Sequence, residues 1–330
     1  MNVLFEMLDV LARTGTSVLP LRAHAGLRAQ RALRRLRPLR VMATRELATQ
    51  ILLSQWRCGL LLRYLRELPA PGLEEFLQSR VKREGAPPWE TLSSTGRPIV
   101  LVTPHYGACV VGCLAVAQWL ERRRALSIYY ELRQQNSGID SMLSRIAPSA
   151  ELLNADFAGS INALRTLRRG GCLALMPDMY LDVTATVAVP FLGCWMRVPT
   201  GAAFLALKSD ALLLPAYAIP ERQMRVTVRF STPIDSRSVR SGDSVQDRFI
   251  LTCLLFADIE RAVRSAPEHW LQWELMPRIA RPLTLPESLS SVELWSALKE
   301  RCRAFPALSR HLPELAEAPL VMRGVGSRFA

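Results

Sequence analysis

Lysine is nearly missing from this chain. Of its 42 basic residues only three are lysine (Lys82, Lys208 and Lys299), so arginine carries almost all of a formal net charge of +13. Planar guanidinium forks suit phosphate and carboxylate partners, but a genome rich in G and C gives the same bias, so the excess alone names no partner. Histidine is also scarce. His24, His269 and His311 stand far from His105 in the sequence, without metal-ligand spacing, which argues against a zinc site. The seven cysteines are scattered and form no Cys-x-x-Cys pair. That is the pattern of buried free thiols in a reducing compartment, not of a disulfide framework.

Two further absences bound the chain's relation to membranes. The first twenty residues lack a basic start, an apolar run and a small-residue cleavage site, so no signal peptide is expected. The longest uncharged stretch, Pro98 to Leu120, has the length of a membrane span, yet Pro104-His105-Tyr106-Gly107 interrupts it where a strand should hand over to a helix. No transmembrane helix is expected there. No internal repeat is visible, and no nucleic-acid-binding motif accompanies the arginines, so nucleic acid is not an expected partner.

What is present is a globular pattern. With 330 residues and 49% apolar composition, the chain is long enough for one large α/β domain and a helical accessory region. Residues 1–69 read as helical and hold twelve arginines against four acids (Glu6, Asp9, Glu46 and Glu67), a net of +8. From Arg22 to Arg45 the arginines alternate with leucines, which suits a helix lying on an anionic membrane surface at roughly 1 kcal/mol per charge. A solvated basic face gives the same pattern. Leu47 to Leu68 continues as an apolar helix, Pro69-Ala70-Pro71-Gly72 breaks it, and a short helix Leu73 to Lys82 follows.

The central stretch is Arg97 to Gly107. Ile99 to Thr103 is apolar on both faces, as in a parallel strand covered by helices on both sides. Ligands of such sheets bind at the carboxyl ends of the strands, where His105 falls. A lone histidine there is also a common cap or core residue. A helix Gly107 to Arg123 follows, with Cys109 and Cys113 one turn apart on one face. Strands are expected at Leu126–Glu131, Ala150–Asn154 and Cys172–Met176, the last running straight into Pro177-Asp178. A helix Ala158 to Arg169 precedes that strand and stops at Gly170-Gly171. Val187 to Gly193 is extended, and Pro199-Thr200-Gly201 opens a helix through Lys208. Ala211–Ile219 and Met224–Phe230 read as strands, the second alternating like a half-exposed edge. A helix Val245 to Arg264 leads to Pro267-Glu268-His269-Trp270.

The order of these motifs resembles the late acyltransferases of bacterial lipid A biosynthesis, within the glycerolipid acyltransferase-like fold. The resemblance rests on a strand ending in His105, a strand ending in Pro177-Asp178, then Val189-Pro190-Phe191, the Thr200-Gly201 helix start and Pro267-Glu268-x-Trp270, over roughly residues 85–280. It implies acyl transfer from an acyl carrier protein or coenzyme A thioester to a hydroxyl or amine, without a metal or tightly bound cofactor. In that family a histidine is general base on the acceptor, and an acid five residues later orients it. His105 matches the first. The fifth residue after it is Val110, not an acid.

Three explanations stay open. Asp178 ends a strand on what should be the same sheet edge and takes over the acid's role, with Asp182 and Glu131 as weaker candidates. Cys109 or Cys113 acts as a His-activated nucleophile, against the reading that small thiols let this helix pack closely. Or the site is degenerate, and the protein is a lipid- or acyl-carrier-binding homologue without turnover.

The resemblance further implies a substrate loop holding Arg133, Asn136 and Asp140. It also implies a Thr200-Gly201 turn whose hydroxyl and helix N-terminal amides bind an anion or the thioester oxygen; an ordinary N-cap is the alternative there. The expected fold is α/β, a mostly parallel central sheet flanked by helices with an N-terminal helical region. Residues 1–84 form an Arg-rich membrane-facing part, 85–281 the acyltransferase-like domain and 282–330 a helical tail. The expected location is peripheral, on the cytoplasmic face of a bacterial inner membrane, with a lipid A-like glycolipid or a secondary metabolite as acceptor.

Overall fold

The computed structural model describes Met7 and residues 45–85, 91–92, 95–121, 123–129, 138–154, 156–178, 186–192 and 194–273. The Arg22–Arg40 stretch, Arg133, Asn136, Glu131, Asp182 and the tail 282–330 lie outside the described residues.

Helix α1 (Arg45–Glu67) is followed by α2 (Ala70–Arg80). The expected break is there, at Leu68 and Pro69, but Ala70, Pro71 and Gly72 already belong to the next helix. Pro69 holds the extended N-cap conformation and Pro71 falls in the first turn, where a helix has no use for the missing N–H. α2 ends earlier than expected, because Val81 enters a strand, β1 (Val81–Gly85), that the sequence did not reveal.

The remaining elements alternate. They are β2 (Ile99–Val102), α3 (Cys109–Leu120), β3 (Leu126–Tyr129), α4 (Ile139–Ile146), β4 (Glu151–Leu153), α5 (Phe157–Arg168) and β5 (Cys172–Leu175). A two-stranded hairpin of β6 (Thr186–Phe191) and β7 (Cys194–Pro199) follows, then α6 (Gly201–Ser209), β8 (Leu212–Pro220), β9 (Val226–Phe230), β10 (Ile234–Asp235) and α7 (Ser244–Ser265). The sheet order is β1-β9-β8-β2-β5-β3-β4, with β10 also paired to β8. From β8 to β4 every pairing is parallel. β9 runs antiparallel to β8, and β1 runs parallel to β9. The chain is therefore α/β with a mixed, mostly parallel sheet flanked by helices.

β9 corrects one expectation. It is no half-exposed edge, because β1 pairs along it and only Arg229 of its five residues is exposed. The apparent alternation was one arginine in an otherwise buried strand.

β2 is buried along its whole length and lies between β8 and β5. Its side chains alternate in their destinations, as a pleat requires. Val100 and Val102 join the core under α5, α6 and α7, while Ile99 and Leu101 join the core under α3 and α4. α1 serves both, giving Leu47 and Ile51 to the first core and Leu61 and Leu65 to the second. α3 comes close to the sheet because it is built of small residues; a Cβ added at Gly112 would stand 2.8 Å from that of Ala218. Among the described residues no helix is long and apolar enough to cross a membrane.

Candidate active site

β2 and β5 are neighbours in parallel register, and their last residues, Val102 and Leu175, face each other. Both strands leave the sheet through a proline, Pro104 and Pro177, and both present a polar residue three positions past the strand end, His105 and Asp178. Equal offsets from strands in register bring the two side chains together. His105 Nδ1 lies 2.9 Å from Asp178 Oδ1. A carboxylate only accepts, so Nδ1 carries a proton, and in the neutral ring Nε2 keeps its lone pair. Among the described residues nothing bonds to Nε2. The imidazole is 22% exposed and the carboxylate 3%, so a ligand can reach the ring but not its partner.

Asp178 is held by more than the ring. The His105 backbone N–H donates to both carboxylate oxygens at 3.0 Å, and Trp270 Nε1–H donates to Oδ2 at 3.1 Å. These bonds meet the requirement that a buried charge be paired and hydrogen-bonded. His105 has a raised pKa. Burial is the largest single influence and pulls it down, but the charge of Asp178 and its hydrogen bond together outweigh that.

The segment after α7 clamps the histidine loop. Gly107 N–H donates to the His269 carbonyl at 2.7 Å, Leu271 N–H donates to the His105 carbonyl at 2.8 Å, and Tyr106 and Trp270 form an isolated β-bridge. Tyr106 sends its hydroxyl to the Ala262 and Ala266 carbonyls at the end of α7. On the far side the His269 ring is pinned to α1, with Nδ1 2.9 Å from Ser54 Oγ. Burial lowers the pKa of His269, against the smaller opposing pull of Glu268. Gly107 cannot be replaced easily here. Its φ is +57°, and a Cβ would stand 2.3 Å from the Ala218 carbonyl oxygen.

Val110, where the resembling family carries its acid, is half-buried and lies on the wall of a cavity of about 300 Å³. Cys109 shares that wall. Burial, with a further contribution from the charge of Asp178, pushes its thiol up to about 12. A thiol so poised stays protonated near neutrality, the reverse of an activated nucleophile. Cys113 is likewise pushed up to about 12 by burial.

The other expected residues are dispersed. Asp140 sits half-buried in the first turn of α4. Thr200 is buried at the N-cap of α6 without capping it through its side chain, and Gly201 is exposed, with open space where a Cβ would stand. Neither Asp140 nor Gly201 bonds to the His105–Asp178 pair among the described residues. Sequence reasoning missed Trp270 as the second side-chain donor to Asp178. The signal was there in Pro267-Glu268-x-Trp270, but only the fold shows what the indole reaches. Among the described residues no three or more His, Cys, Asp or Glu side chains gather as metal ligands would.

A family model described as bacterial lipid A biosynthesis acyltransferase matches residues 29–275. The matched span holds both strands of the site together with His105, Asp178 and Trp270. No curated protein matches the chain significantly.

Proposed function

The chain belongs to the bacterial lipid A biosynthesis acyltransferase family, and from that premise we propose that it moves an acyl chain directly from a thioester to a hydroxyl or amine, with His105 as general base and Asp178 as its orienting acid. The single observation that carries the reading is the 2.9 Å bond between His105 Nδ1 and Asp178 Oδ1. It supplies from the neighbouring strand what the family's fifth-residue acid supplies elsewhere.

The step balances without a covalent enzyme intermediate. The acceptor oxygen or nitrogen attacks the thioester carbonyl while its proton passes to His105 Nε2. Asp178 stabilises the imidazolium that forms and keeps Nδ1–H fixed, so that the lone pair always faces the acceptor. Collapse of the tetrahedral intermediate breaks the C–S bond, and the proton on Nε2 goes to the departing thiolate. Cys109 has no part in this scheme. The donor is an acyl carrier protein or coenzyme A thioester, and the acceptor is a lipid A-like glycolipid or a secondary metabolite. The basic stretch near the N-terminus lays the protein on an anionic membrane from the cytoplasmic side. Arg133, Asn136, Asp140, Thr200 and Gly201 belong to the substrate surfaces in this reading.

Acyl release from decanoyl thioesters of carrier protein and of coenzyme A, read with mass spectrometry of the protein, tests the proposal. Wild type should release acyl groups without becoming acylated, and His105→Ala should lose at least about 10³-fold in rate. Equal rates in the two proteins would remove His105 from the mechanism. A catalytically silent binding homologue would show thioester binding and no release from either.

A further inference from the structure

A second cavity, of about 380 Å³, opens between the C-terminal half of α6 and the first turn of α7. Its wall holds Phe204 and Lys208 of α6, Arg240 from the loop before α7, and Ser244, Asp247 and Arg248 of α7. It lies far from the reacting pair. The other end of α7 meets the catalytic loop, where the Ala262 carbonyl accepts from the Tyr106 hydroxyl. At about 1.5 Å of rise per residue, Asp247 stands about 22 Å along the helix from that contact.

Three cations line this cavity against one acid. Asp247 is buried, and both its oxygens accept from the Ser241 N–H. Arg240 is partly engaged, since it donates to the Leu207 carbonyl and pairs with Asp210. Asp243 already caps α7 through the Val245 and Gln246 N–H groups, so the helix terminus is taken. Lys208 and Arg248 have no ionic partner among the described residues. Lys208 Nζ stands 6.0 Å from the centroid of the exposed Phe204 ring, and Arg248 Nε is buried without a hydrogen-bond partner. A buried charged donor with nothing to accept from it is costly in a folded protein. An anion in the cavity supplies the acceptor.

We propose that this cavity binds a nucleoside diphosphate, with its phosphates on Lys208, Arg240 and Arg248 and its base on the Phe204 ring, at a site separate from His105 and Asp178. Guanidinium forks match phosphate oxygens in pairs, and lysine adds a point charge. An exposed aromatic ring beside those cations gives a flat base a stacking partner. The site does not depend on the acyl-transfer reading, because no step of that reaction involves these residues.

The test is calorimetric titration of full-length protein with adenosine diphosphate, pyrophosphate and adenosine, in wild type, Lys208→Gln, Arg248→Gln, Phe204→Ser and His105→Ala. Wild type should bind adenosine diphosphate, with pyrophosphate about tenfold weaker and adenosine at least about a hundredfold weaker. Arg248→Gln should weaken the diphosphate by about ten- to a hundredfold, and Lys208→Gln by about tenfold. Phe204→Ser should weaken it about tenfold and leave pyrophosphate unchanged. His105→Ala should bind as wild type does. Lys208 is exposed, so its variant reads binding even if Arg248→Gln fails to fold. Absence of binding in wild type, or unchanged affinity in Lys208→Gln and in folded Arg248→Gln, would overturn the site. Pyrophosphate binding as tightly as adenosine diphosphate would overturn the nucleoside assignment, and loss of binding in His105→Ala would overturn the separation from the catalytic pair.

Discussion

Two sides of the same loop contrast sharply. On one side Asp178 is buried and accepts from His105 Nδ1, the His105 backbone and Trp270. On the other, five residues on from His105, Val110 lines an apolar cavity beside two neutral thiols. The family motif puts the orienting acid on the second side, at the second residue of α3. Here that side is apolar, and the buried carboxylate of Asp178 has its donors on the first. In the proposed mechanism the orienting carboxylate is identified by what holds it and what it holds, and not by its spacing from the histidine.

The largest blow to this comparison should come from Asp178→Asn. It keeps the shape and removes the charge that raises the His105 pKa, so transfer should fall on the order of 10³- to 10⁴-fold at neutral pH, measured as steady-state acyl release. Trp270→Phe comes next. It takes one donor from Asp178 and leaves the ring bond, and it should cost about tenfold in kcat with little change in KM. If it acted only through stability, the melting temperature would drop while kcat of the folded protein stayed unchanged. The smallest effect belongs to the thiol side: Cys109→Ala should stay within about twofold of wild type in the same assay, because its thiol is not ionised near neutrality.

The pH dependence follows from the same pair. In the proposed mechanism His105 acts as a base only when neutral, and its pKa is raised. The acid limb of the rate profile should therefore lie above the ordinary imidazole value of about 6.5. In Asp178→Asn, burial acts unopposed and the limb should move to lower pH.

Much of the site was legible because it depends on local signals. Ile99 to Val102 and Cys172 to Leu175 are apolar runs that end at proline, and both were expected to deliver their polar residues to one sheet edge. That β2 and β5 are neighbours in register was not legible, since strand order depends on contacts between distant segments. The same reason hid β1. Val81 to Gly85 exposes four of five residues and reads as the end of a helix, until Val226 to Phe230 arrives to pair with it. β7 was lost in a stretch, Cys194 to Pro199, whose partner is the hairpin strand before it. Trp270 was visible as a motif letter, but its role depends on the turn Pro267–His269 returning the chain to Asp178.

The most direct test of the account is a nuclear magnetic resonance titration of the His105 imidazole in wild type and in Asp178→Asn. If Asp178 has taken over the acid's role, His105 titrates above the ordinary imidazole value in the wild type and below it in the variant. An unchanged titration in the two proteins would contradict it, and the orienting acid would have to be sought elsewhere.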